Sequence, residues 1–160
     1  MKKFFFDCGT RDPLASTGLA LLRLAYGWMM LYGHGIGKIQ NFEKLKAMPW
    51  PVPGIFPLNF MSSPISLAAT IGAEVGAAGL LMLGFMTRPA AFVLGFAMVI
   101  AAFQVNAHAP FFASGDGPAK EMAVLYLIPC LVLIVTGGGQ WSIDAGFDTD
   151  KRRRRWMKRS

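Results

Sequence analysis

Four long apolar stretches dominate this chain and constrain its fold more than any other feature. They cover about residues 14–33, 65–86, 89–107 and 119–136, and a single charged residue interrupts each of the first two. About 20 apolar residues in helical form cross the hydrocarbon core of a bilayer. The apolar runs are continuous rather than alternating, which favours helices over a β-barrel. We therefore predict an all-α integral membrane protein, a bundle of four transmembrane helices.

The composition excludes the soluble classes of protein. Hydrophobic residues make up 54% of the 160 residues and charged residues only 16%, whereas a typical soluble domain is about one quarter charged. A soluble enzyme of this size could not cover its surface with so few polar groups. The two cysteines, Cys8 and Cys130, lie far apart and do not form a disulfide framework or a metal-binding motif.

The link between the first two stretches has a pattern of its own. Ile39, Phe42, Leu45 and Met48 recur at helical spacing. This predicts a short interfacial helix, lying on the membrane surface in the first outer loop. The proline-rich residues 49–54 that follow cannot lie inside a helix.

The distribution of lysine and arginine predicts the orientation. Of the 16 such residues, eleven lie on the side of both termini, four lie on the opposite side and Arg23 lies within a span. Cytoplasmic loops carry the excess of positive charge, so we predict a multi-pass protein of a bacterial-type inner (plasma) membrane with both termini cytoplasmic. Seven of the positive charges belong to a basic tail, residues 149–160. Beside a membrane span, such a tail is typical of an anchor on anionic lipid rather than of nucleic-acid binding.

Two charged residues lie deep within the apolar stretches. Arg23 is nine residues into the first stretch and Glu74 is nine residues into the second, which corresponds to a depth of roughly 14 Å for each. A lone charge at that depth is costly, so we predict an ion pair between Arg23 and Glu74. Two interpretations remain open, a clamp that fixes the helix register and a path for a proton or ligand. Gly72 and Gly76 have the spacing of a close helix contact.

A second polar group gathers at the outer ends of the stretches. It consists of His34, Lys38, Asn106, His108 and Glu121. The predicted topology brings these residues to one level, where three interpretations remain open. They are a structural network, a pocket for a quinone head group or a small organic substrate, and a heme or metal held between the two histidines. No HxxxH or HExxH spacing supports the metal interpretation, so no metal site is predicted.

Several groups of residues form a pattern that extends over most of the chain. They are Leu22-Arg23-Leu24, His34-Gly35-Ile36-Gly37-Lys38, Glu74 with residues 79–88, and Glu121 with residues 137–144. Together, from about residue 17 to residue 145, they resemble the DoxX family of membrane proteins. The resemblance implies a four-helix domain, here residues 1–148, followed by the basic tail. It also implies that the polar positions of the family are Arg23, His34, Lys38, Glu74 and Glu121.

The resemblance also implies a class of function. DoxD proteins, which are related, are a subunit of thiosulfate:quinone oxidoreductase, and other members are linked to redox-stress defence and to detoxification of aromatic compounds. We therefore expect a membrane-embedded redox accessory or a quinone-linked oxidoreductase subunit, working with a redox partner protein. The alternative is a non-catalytic membrane scaffold or a small-solute carrier.

Overall fold

The fold is known from a computed structural model, which describes residues 8–113, 117 and 119–147. Every regular element over these residues is helical. The basic tail predicted at residues 149–160 lies outside the described part of the chain.

The described chain contains four long helices, two short α-helices and a single 3-10 turn at Leu58–Phe60. Helix α1 spans Pro13–Gln40, α2 spans Phe42–Lys46, α3 spans Ser63–Leu83, α4 spans Thr87–Val105, α5 spans Glu121–Thr136 and α6 spans Ile143–Phe147. Helices α1, α3 and α4 are long and apolar enough to cross a membrane, whereas α5, with 16 residues, is shorter. The predicted all-helical membrane bundle is thus confirmed in its helix content. The membrane-surface position of α2 and the cytoplasmic side of the termini remain predictions.

The four long helices form a closed ring in which each packs on its neighbours in the chain. Helix α1 packs on α3, α3 on α4 and α4 on α5, and α5 returns to α1. The core between them is formed mainly by large apolar side chains that are almost fully buried, among them Met30, Leu81, Leu94 and Leu133. The first and last described segments meet at one end of this ring, where the Gly139 amide donates to the Cys8 carbonyl at 2.8 Å. We call this the terminal end and the opposite end, with the loop between α2 and α3, the loop end.

Local sequence explains where the helices start and stop. The Asp12 side chain accepts a hydrogen bond from the Ala15 amide at 2.7 Å and so caps α1, with Pro13 at its first position. Helix α3 is capped by Gly84, the residue after its end, which has φ of 66°, a left-handed conformation that glycine adopts without strain. A side chain there would also overlap the Arg23 guanidinium. The second and third apolar stretches therefore join in a tight turn, as their short separation predicts.

Three of the long helices contain a π-helical turn. The turns are Leu31–Gly35 in α1, Gly72–Ala77 in α3 and Ala101–Val105 in α4. Such turns insert an extra residue into the helix and occur frequently at functional sites. Helix α1 continues beyond its turn to Gln40, seven residues past the end of the predicted first span at Gly33.

Candidate functional site

A cavity of about 550 Å³ lies in the loop-end half of the bundle. Its walls come from α3, from α4 and from the loop between α2 and α3, while α1 contributes only Lys38. The other lining residues are Trp50, Pro51, Pro53, Leu58, Met61, Ser66, Ala69, Thr70, Ala73, Glu74, Val93, Phe96, Ala97, Ile100, Ala101 and Val105. The space is therefore mainly apolar, with a single pair of charges in its wall.

The charged pair is formed by Lys38 and Glu74. The Lys38 ammonium donates to Oε2 of Glu74 in a close ion pair. The Lys38 side chain is 19% exposed and that of Glu74 only 7%, so the carboxylate is the more deeply buried partner. A charge buried to this extent is stable only when it is paired.

The π-helical turns place this pair. Glu74 belongs to the turn of α3, and Lys38 follows the turn of α1 by one helical turn. The α1 backbone packs closely on α3 at this level, because a Cβ at Gly35 would lie 2.6 Å from Cγ2 of the Val75 side chain. Glycine at position 35 thus lets α1 come near enough for Lys38 to reach across to α3.

The proline-rich segment forms the roof of the cavity and is bound to the start of α3. The Trp50 amide donates to Oγ of Ser63 at 2.6 Å, and Oγ of Ser66 donates to the Pro51 carbonyl at 2.6 Å. The roof is therefore held by specific hydrogen bonds, which fixes the indole of Trp50 in the cavity wall.

A second space, an open groove of about 580 Å³, lies beside the cavity at the loop end. It is lined by Gly33, His34, Gly37, Lys38, Asn41, Lys44, Leu45, Met48 and Trp50. Lys38 and Trp50 line both spaces. These two side chains therefore form the partition between an apolar cavity and a polar, basic groove.

The cavity also lies next to the lipid-facing surface of α4. Phe96 lines it, and the Phe96 ring stacks on that of Phe92, which is 62% exposed and does not line the cavity. Helix α4 is apolar and long enough to cross a membrane, so this wall of the cavity lies next to the surface that meets the hydrocarbon.

The predicted Arg23–Glu74 ion pair is wrong, because each residue has other partners. Glu74 binds Lys38, while Nη2 of Arg23 donates to the Trp141 carbonyl at 2.8 Å and Nη1 to the Leu81 carbonyl at 3.5 Å. Both Arg23 partners lie at the terminal end. Arg23 therefore belongs to a separate polar junction there.

That junction also contains Asp144. Its two carboxylate oxygens accept from the amides of Met86 and Thr87, each at 2.8 Å, and the side chain is only 1% exposed. Asp144 thus satisfies free amides at the start of α4, and its charge acts on Arg23. No role was predicted for Asp144 from the sequence. A polar residue soon after a glycine-rich helix end was the signal that could have indicated such a cap.

The predicted outer polar group is only partly brought together. His34 and Lys38 share the groove, and the His34 ring packs edge-on against Tyr126 with centroids 5.2 Å apart. Oε2 of Glu121 accepts from the Ala113 amide at 3.2 Å, a bond within its own loop region. Asn106 and His108 line neither space, and His108 is exposed. Over the ranges that the structure describes, no three His, Cys, Asp or Glu side chains gather in a metal-binding cluster.

Comparison with known proteins identifies the family. The DoxX family model matches residues 18–107, more than half of the chain. The chain belongs to the DoxX family. The matched region of this DoxX protein contains α3, α4 and most of α1, and with them every described residue of the cavity wall.

Relatives of this DoxX protein occur in Haemophilus influenzae. One uncharacterized protein is 30% identical over 132 residues, which is 81% of this chain and 90% of the relative. Another uncharacterized protein is 23% identical over 152 residues, or 95% of this chain and 97% of the relative. No solved structure matches.

The aromatic and hydroxyl residues of the site were not predicted from the sequence. The cavity is lined by Trp50, Ser66 and Thr70. The sequence pattern indicated only that the prolines around Trp50 interrupt a helix. A tryptophan between prolines beside a membrane span was the available signal, since such a segment is stiff and holds its aromatic ring in place.

Proposed function

We propose that this DoxX protein binds a membrane quinone in the loop-end cavity and acts as a quinone-linked redox accessory to a partner protein. The observation that carries the proposal is the combination found there, an apolar cavity next to the lipid-facing surface with one ammonium–carboxylate pair in its wall. A quinone has an apolar ring and tail and carbonyl oxygens that accept hydrogen bonds. This combination of groups matches the cavity wall.

The size and chemistry of the cavity support a quinone ligand. Ligand sites in proteins are typically about 300–1,000 Å³, mostly apolar, with a few polar groups that fix orientation. The Lys38 ammonium has three N–H donors, so it can donate to a carbonyl oxygen of the quinone. Trp50 and Phe96 provide flat walls for the ring. A bound quinone supplies two-electron carrier chemistry, and the protein contributes binding, orientation and a source of protons.

Filling the cavity should abolish quinone binding. Ala69 lines the cavity, whereas its neighbour Ala68 is exposed on α3 and does not. We expect Ala69→Phe to remove the saturable quenching of tryptophan fluorescence by decylubiquinone in lipid nanodiscs, since Trp50 lies in the same wall. Ala68→Phe, the matched control, should leave the titration unchanged. Equal titrations for the two variants would refute the cavity as the quinone site.

The setting proposed for this function is the bacterial-type inner membrane, with the terminal end cytoplasmic and the basic tail on anionic lipid. The meeting of Cys8 with Gly139 supports the placement of both termini on one side. A periplasm-dependent phosphatase fused after Ala47 should be active, and the same reporter fused after Phe147 should be inactive. The reverse pattern would invert the orientation and place the cavity in the cytoplasmic half of the bilayer.

A further inference from the structure

We infer that quinone binding in the cavity is linked to the uptake of one proton, which reaches Glu74 from the loop-end groove past Lys38. The inference rests on the proposed function and adds to it the route and the residues of proton exchange. Its starting point is the partition, because Lys38 is in contact with both spaces and is bonded to the buried carboxylate.

The residues around the Lys38–Glu74 pair indicate that the pair exchanges protons with water through the groove and not through the cavity. Apart from Lys38 and Glu74, the lining residues that the structure describes carry no titratable side chain. The hydroxyl groups of Ser66 and Thr70 both donate to carbonyl oxygens of the protein. Helix α4 contributes only apolar residues to the wall. These features make the cavity side a poor route for a proton.

The groove side, in contrast, is rich in polar groups. Helix α1 contributes His34 and Lys38 with Asn41 after its end, and α2 contributes Lys44. From α5, the ring of Tyr126 packs against His34 without lining the groove. A proton that enters from water at the loop end therefore meets Lys38 before it meets Glu74.

The linkage follows from hydrogen-bond chemistry. A quinone carbonyl that accepts from the ammonium draws Lys38 away from Glu74, and a buried carboxylate without its cation takes up a proton. One O–H bond forms at Glu74, one proton leaves the water, and no electron moves. A quinol instead donates its O–H to the carboxylate and leaves the charges as they were. The protein thus distinguishes the two forms by proton uptake.

The linkage predicts that the affinity for the quinone depends on pH and that the affinity for the quinol does not. Because the protein takes up a proton with the quinone, the affinity for decylubiquinone should rise as the pH falls, by up to about tenfold per unit. The affinity for decylubiquinol should be nearly independent of pH. In weakly buffered nanodiscs with a pH-indicator dye, the quinone should cause uptake of about one proton per protein and the quinol about none.

Blocking the groove tests the route separately. Gly37 lines the groove and Gly76 lines neither space, and each has open space around the position of a Cβ. Gly37→Trp should slow proton uptake in stopped-flow mixing with decylubiquinone while leaving the final amount unchanged. Gly76→Trp, the matched control, should retain the rate of the unmodified protein. Glu74→Gln should still bind the quinone but take up no proton.

The outcomes separate this inference from the proposed function. Quinone binding without proton uptake would overturn the inference and leave the quinone site intact. Equal uptake rates in the two tryptophan variants would show that the proton does not travel through the groove, which also overturns it. Absence of any quinone binding would overturn both.

Discussion

Replacement of Lys38 by methionine is expected to lower the free energy of unfolding by about 3 kcal/mol. The substitution leaves the Glu74 carboxylate, which is only 7% exposed, without a cation. Removing one partner of a buried ion pair typically costs about 3–5 kcal/mol. We expect the lower end, since the Lys38 side chain is 19% exposed and the carboxylate can take up a proton. Unfolding in mixed detergent micelles, followed by circular dichroism, measures the loss.

The two partners should not be equivalent. Glu74→Leu should cost less than Lys38→Met, because an unpaired Lys38 can turn its ammonium into the groove that it already lines. The double variant should cost less than the sum of the singles, since no charge is left alone. Lys44→Met is the matched control at an exposed lysine of the same groove and should change the free energy by less than about 0.5 kcal/mol. A loss for Lys44→Met equal to that for Lys38→Met would contradict a buried pair.

Replacement of Asp144 by alanine should destabilise the protein to a similar extent, by about 3–5 kcal/mol. The carboxylate accepts from the amides of Met86 and Thr87, and hydrogen bonds to a charged group contribute about 1.5–3 kcal/mol each. The substitution also removes the negative charge that acts on the buried Arg23 guanidinium. The same micelle unfolding experiment measures the effect.

Two further variants calibrate the Asp144 prediction. Asp144→Asn keeps one carbonyl acceptor and should lose less stability than the alanine variant. Asp12→Ala removes a single exposed cap bond, to the Ala15 amide, and should cost about 1 kcal/mol. If Asp144→Ala cost no more than Asp12→Ala, the junction at the terminal end would not stabilise the turn between α3 and α4.

The helical bundle could be predicted because the bilayer leaves few alternatives. An apolar run of about 20 residues in lipid must satisfy its own backbone, and a helix does so. The same reasoning did not locate the end of α1. The helix continues through its π turn to Gln40, and Gly33, His34 and Gly37 line the groove there instead of ending the helix.

The partner of Glu74 was mispredicted because depth was counted without side-chain direction. Side chains of a helix lean towards its N-terminus. Helices α1 and α3 are antiparallel, so Arg23 leans to the terminal end and Glu74 to the loop end. Lys38, further along α1, leans back towards Glu74. The Arg23 partner Leu81 is seven residues from Glu74, roughly 10 Å along the helix.

The glycines at helix contacts were also mispredicted from sequence spacing alone. Gly72 and Gly76 were expected at a helix contact, yet a Cβ at either position would meet nothing within 4 Å. The long helices approach closely at other glycines, namely Gly27, Gly35 and Gly95. A Cβ at Gly27 would lie 3.0 Å from the Ala78 carbonyl oxygen, and a Cβ at Gly95 would lie 3.1 Å from Cβ of Cys130. A glycine spacing identifies a helix face, but it does not tell which face meets a neighbour.

Photo-crosslinking with an azido-quinone tests the central claim most directly. After illumination in nanodiscs and peptide mapping by mass spectrometry, we expect label on the cavity wall, at Trp50, Met61 or Phe96. Excess decylubiquinone should suppress this label, and Ala69→Phe should abolish it. Label confined to lipid-facing positions such as Trp28 and Leu125, unchanged by the competitor, would contradict a quinone site in the cavity.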